Sequence, residues 1–181
     1  MQGPFYVDTL PPHMDTSDPA IVTLTSANQP ILANRYLPDL GKNFFAYPGR
    51  AVRMKFAGHM FLGATPGNFT YTIYYGNNTA SNGTSLANLT ITPTVSGGTV
   101  SWYTEHTIRC RSNDPALPSL IVTGWLFIQG WGIVGFPPNG SSGTAVASFQ
   151  TSPLYLSMQL LRTGSTAETI SPRDVSFEAL N

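Results

Sequence analysis

Residues 47–60 read YPGRAVRMKFAGHM, and the alternation inside that stretch decides the fold class. Val52, Met54, Phe56, Gly58 and Met60 share one parity, and Arg53, Lys55, Ala57 and His59 share the other. A period of two places the first set on the buried face of a strand and the second on its water face. Pro48-Gly49 supplies the turn that leads in. Arg50, Arg53, Lys55 and His59 also invite reading the stretch as an anion site. The alternation instead makes the strand's own charges its solvated side.

The same period recurs along the chain. NFTYTIYYG (68–76) sets Phe69, Tyr71, Ile73 and Tyr75 against Thr70, Thr72 and Tyr74. TVSWYTEHTIRCR (99–111) sets Val100, Trp102, Ile108 and Cys110 against Ser101, Tyr103, Glu105, Arg109 and Arg111. AIVTLTS (20–26), TAVASFQ (144–150), LYLSMQLLR (154–162) and DVSFEAL (174–180) read as further strands. Between them lie turn clusters such as ATPGN, GNNTASNGT, SNDPALP, PPNGSSG and GSTAETISPRD. Residues 37–45 hold at most a short helix, because Pro38 and Gly41 interrupt them. Seven to nine strands with almost no helical pattern predict an all-β protein: a single antiparallel β-sandwich, jelly-roll-like. The expected core includes Val52, Met54, Phe56, Phe69, Tyr71, Ile73, Trp102, Ile108, Leu126 and Ile128.

Composition narrows the function classes. A chain of 181 residues fits one domain with one sizeable core. Only 10% of residues are charged and the formal net charge is zero, so nothing in the sequence forms a basic footprint for nucleic acid or an anionic membrane. Cys110 is the single cysteine, which excludes an internal disulfide framework. The first residues lack the charged-then-apolar order of a signal peptide. Five Asn-x-Ser/Thr sequons, at Asn68, Asn77, Asn82, Asn88 and Asn139, then read as products of Asn/Thr-rich loops.

Catalytic patterns are missing. There is no phosphate-binding glycine loop, G-x-S-x-G, H-E-x-x-H or C-x-x-C. His13 with Asp15 and Asp18 is the best-spaced metal trio, but capping a polar turn is the commoner use of such residues, and no metal or cofactor site is assigned. His106 shares the inward parity of Trp102, which reads as a hydrogen-bonded interior histidine. Glu105 lies on an outward parity with no second carboxylate to face it, so the chain reads as a non-enzyme.

Two segments do carry an expectation of contact. Residues 1–18 hold Pro4, Pro11 and Pro12 and no apolar period, so they read as an extended N-terminal arm preceding the domain at 19–181. Phe5, Tyr6, Val7 and Leu10 are its candidate anchors on a neighbouring surface. SLIVTGWLFIQGW (119–131) is apolar on both parities. Leu120, Val122, Gly124, Leu126 and Ile128 suffice for a core. Ile121, Trp125 and Phe127 then occupy positions where an antiparallel strand ordinarily shows polar groups to water. A loop or the arm could fold over that face within the subunit. Alternatively the face joins copies, and a closed ring of three would bury it.

Four segments resemble a family of small β-rich structural proteins of tailed bacteriophages. FFAYPGRAVRMKFAGHM is similar to that family's Pro-Gly-Arg turn and following strand, and PGNFTYTIYYG to its next strand. VSWYTEHTIRCR is similar to its Trp-led strand closing in Arg, and IVTGWLFIQG to the strand after that. The likeness spans residues 19–181 and leaves the arm outside. It implies a capsid decoration or minor capsid protein, made in the host cytoplasm and carried on the virion exterior. Its partners would be the major capsid protein and, as a homotrimer, itself. A tail-fibre or receptor-binding head that takes host glycans in loop pockets is the alternative.

Overall fold

The computed structural model describes residues 7–9, 22–27, 29–32, 37–38, 40, 43–76, 83–94, 97–136, 143–146, 149, 155–164 and 168–180. They form an all-β sandwich of two antiparallel sheets. The strands are β1 (Val7–Thr9), β2 (Val22–Leu24), β3 (Gln29–Pro30), β4 (Ala51–Leu62), β5 (Phe69–Gly76) and β6 (Gly83–Ile91). They continue as β7 (Gly98–Ser112), β8 (Ser119–Ile128), β9 (Gly132–Phe136), β10 (Thr144–Ala145), β11 (Tyr155–Arg162) and β12 (Glu168–Leu180). The large sheet runs β1-β12-β4-β7-β8-β10, with β2 also on β12 and β9 also on β8. The small sheet runs β3-β11-β5-β6. Four long strands therefore make the body of the large sheet, and each outer edge is shared by two short ones.

The quoted stretch behaves as its parity predicts. Arg50 N donates to the Tyr47 carbonyl at 3.1 Å, closing the Pro48-Gly49 turn, and Gly49 takes the positive φ of 91° that this turn needs. Beyond it Val52, Met54, Phe56, Gly58, Met60 and Leu62 are buried. All ten residues expected in the core are buried. Each large apolar side chain there contributes about 1.5–3 kcal/mol. Edge-on ring contacts such as Phe56 with Phe177, centroids 5.6 Å apart, fix how the side chains interlock.

Several expectations change. Residues Asn43–Phe45 form a turn rather than a helix, and Phe45 plugs the sandwich against Tyr75 and Phe149. TAVASFQ contributes only the two residues of β10 as strand among those described. GSTAETISPRD is not simply a separator, since β12 begins at Glu168 and runs through Pro172. A register shift between Pro172 and Asp174 absorbs the proline that suggested a turn. Gly58 permits it, because a Cβ there would lie 2.1 Å from the Ser171 carbonyl oxygen. Strand β6 was not foreseen, and β9 was not separated from the apolar run that begins with β8.

Candidate functional site

The interior holds the strongest polar arrangement. Thr104 and His106 on β7 point inward, and both are fully buried. The Thr104 hydroxyl donates to the Trp125 carbonyl at 2.8 Å, so toward the imidazole it can only accept, and His106 Nε2 must carry the ring proton. The Tyr71 hydroxyl of the small sheet lies 3.0 Å from the same nitrogen. The bridge thus joins the two sheets. Burial lowers the His106 pKa to about 3, which keeps the ring neutral, and burial pushes the Tyr71 phenol far up. Gly124 makes room, since a Cβ there would lie 2.3 Å from His106 Nδ1. A void of about 10 Å³ lies beside these groups, with walls that include Met60, Trp102, Leu126 and Leu160. Its lining is apolar, and its volume is at the lower limit for holding one water.

A second buried pair closes one end. Arg162 on β11 donates to the Leu24 and Gly164 carbonyls at 2.8 and 2.7 Å and stands 3.4 Å from Glu168 on β12. Backbone acceptors satisfy the guanidinium, as a buried charge requires.

The accessible chemistry lies on the outer face of the large sheet. Register aligns Ser176, Lys55, Glu105, Trp125 and Gly135 in one row across β12, β4, β7, β8 and β9. The next row is Asp174, Ala57, Tyr103, Phe127 and Ile133. On the β12–β4 side, Lys55 and Arg53 bond Glu178 at 2.6 and 3.1 Å, and Arg53 also approaches Glu105 at 3.5 Å. The Glu178 hydrogen bond raises the Lys55 pKa. On the β8–β9 side, Trp125 packs on Tyr103 with centroids 5.0 Å apart. Phe127 is 37% exposed and Ile133 is 71% exposed.

The two halves place the sequence candidates differently. Ile121, Trp125 and Phe127 share the outer face as parity required, with Ile121 and Trp125 half-buried. Val7 begins β1, whose partners are Leu180, Ala179 and Glu178 of its own chain, so the arm is paired in the sheet at that point. Phe5, Tyr6 and Leu10 lie outside the described residues, as do His13, Asp15 and Asp18. Among the described residues no group of three His, Cys, Asp or Glu is placed to hold a metal ion. Sequence reading missed Ile133 and Gly135, although the apolar WGIVGF following a Gln-Gly turn was the available signal.

No family model matches the chain, and no curated protein matches it. Among solved structures, a protein of unknown function from Shewanella oneidensis MR-1 aligns at TM-score 0.36 and 11% identity, over 97% of this chain and 86% of that one. A marine PL-14 alginate lyase from Aplysia kurodai aligns at TM-score 0.43 and 10% identity, over 96% and 90%. At that level neither likeness bears on function.

Proposed function

We propose that the protein is a non-catalytic structural component of a bacteriophage particle, bound to the outside of the capsid shell. The observation that carries the reading is the apolar half of the outer face, where exposed Phe127 and Ile133 adjoin the half-buried Tyr103 and Trp125. A particle subunit uses such a surface as contact area, while a freely diffusing domain would keep it polar. The resemblance of the four strand segments to phage structural proteins supports the same reading. In this role the sandwich supplies a rigid body and the apolar half supplies adhesion.

Particles purified from lysates of cells carrying the gene test it. The chain should co-purify in fixed ratio to the major capsid protein, and immunogold label should fall on the shell. Absence from washed particles overturns the role. Label confined to the tail tip would replace it with the receptor-binding reading.

A further inference from the structure

We infer that β9 is a self-pairing edge, through which two copies of the chain join their large sheets about a twofold axis. The inference is independent of the virion role.

Edge strands carry unpaired N–H and C=O groups, and proteins block them by shortness, proline, charge or side-chain caps. Four of the other described edge strands are short, and one of these also carries a proline. Strands β1 and β2 are three residues long and β10 is two. Strand β3 is two residues long and contains Pro30. On the edge of β6 the Leu86 carbonyl accepts from the Thr144 hydroxyl at 3.1 Å. Strand β9 is longer, at five residues, and carries neither proline nor charge. It reads GIVGF, pairs with β8 on one side, and among the described residues has no strand on the other.

Only another extended backbone satisfies a row of such groups, and the side chains specify which one. Pairing two β9 strands antiparallel about Val134 sets Ile133 of each copy opposite Gly135 of the other. Ile133 stands out from the sheet, and a Cβ at Gly135 would meet nothing within 4 Å. The projection of one copy fits the vacancy of the other. Because Gly135 pairs with Trp125, the incoming Ile133 also comes to lie beside that indole. The Tyr103–Trp125–Phe127 surface then becomes the middle of a continuous sheet. This twofold arrangement replaces the threefold ring expected from the parity of β8.

Sedimentation equilibrium of the purified chain should give a monomer–dimer equilibrium. Ile133→Lys and Gly135→Val should each weaken it about a hundredfold or more, since every substitution acts twice across the axis, with thermal midpoints near the parent's. Val134→Cys should form an interchain disulfide under mild oxidation, its Cα partners lying at about 4.5–5.5 Å, whereas Gly132→Cys should not. A monomer at high micromolar concentration, a trimer, or a dimer that Val134→Cys fails to cross-link would each overturn the pairing.

Discussion

Strand β7 shows two kinds of completeness on its two faces. Inward it presents Trp102, Thr104, His106, Ile108 and Cys110, all buried and closed against the small sheet. Outward it presents Tyr103 and Glu105, which belong to different neighbourhoods. Glu105 joins the Arg53–Glu178–Lys55 ion pairs, which are satisfied within the subunit and hydrated. Tyr103 leads instead to Trp125, Phe127 and Ile133, where apolar area is left for something else to cover. The inner face accounts for stability, the charged outer half satisfies itself through its ion pairs, and the aromatic outer half is the surface proposed for association.

Substitutions should rank in that order. Trp102→Ala, at the closed face, should cost about 3–5 kcal/mol through lost transfer energy and the cavity left behind. Chemical denaturation measures it, and a loss below 1 kcal/mol would remove Trp102 from the load the core bears.

The buried imidazole comes next and sets the acid limit. With a folded pKa near 3 against 6.5 unfolded, the unfolded chain binds the proton first. Stability from the neutral ring is therefore full above pH 6.5 and declines as pH falls toward 3. The decline from this one group is on the order of 4 kcal/mol. No carboxylate among the described residues faces the ring to offset it; Tyr71 is the titratable neighbour and stays neutral. His106→Gln should lose distinctly less stability than the parent between pH 7 and pH 4. Parallel losses would show that the acidic side chains alone set the acid limit.

At the aromatic outer half, Trp125→Asp should lower stability by only about 1 kcal/mol, the worth of its ring contact, while weakening self-association strongly. A collapse of the fold would place Trp125 with the inner face. The smallest effect belongs to the charged half. Glu178→Gln should cost under about 1 kcal/mol, since ion pairs whose cations are about a third exposed are screened, and the cost should shrink further in high salt.

How much of this was legible in the sequence depended on whether a strand kept its period. Strands β4, β5 and β7 alternate without a break over their inward residues, so their buried faces could be read directly, whereas β8 is apolar on both parities. Strand β12 could not be read through, because its bulge flips the parity. Ile170 and Val175 are both buried although they stand an odd number of residues apart. Strand β6 fails likewise: the register shift opposite Ile73 and Tyr74 leaves Leu86 unpaired beside Ala87, and both are buried. The outer face was half legible. Ile121, Trp125 and Phe127 followed from parity alone. Their neighbours Tyr103 and Ile133 did not, because the lateral order of strands is not written in any one of them. The Thr104–His106–Tyr71 bridge was hidden for the same reason, as its partners come from two sheets.

The place of β12 between β4 and the short edge strands also governs how the molecule comes together in time. Its ladder with β4 joins positions as distant as Arg53 and Glu178, which are 125 apart. Strands β4, β7 and β8 can zip to each other early, but the free side of β4 waits for a segment made long afterwards. Closing so large a loop is entropically costly and makes the search slow. During that interval the alternating stretch at 51–62, the same run whose parity reveals the sheet, is an open and sticky template. A nascent chain thus passes through a stage in which its most regular strand is its greatest hazard.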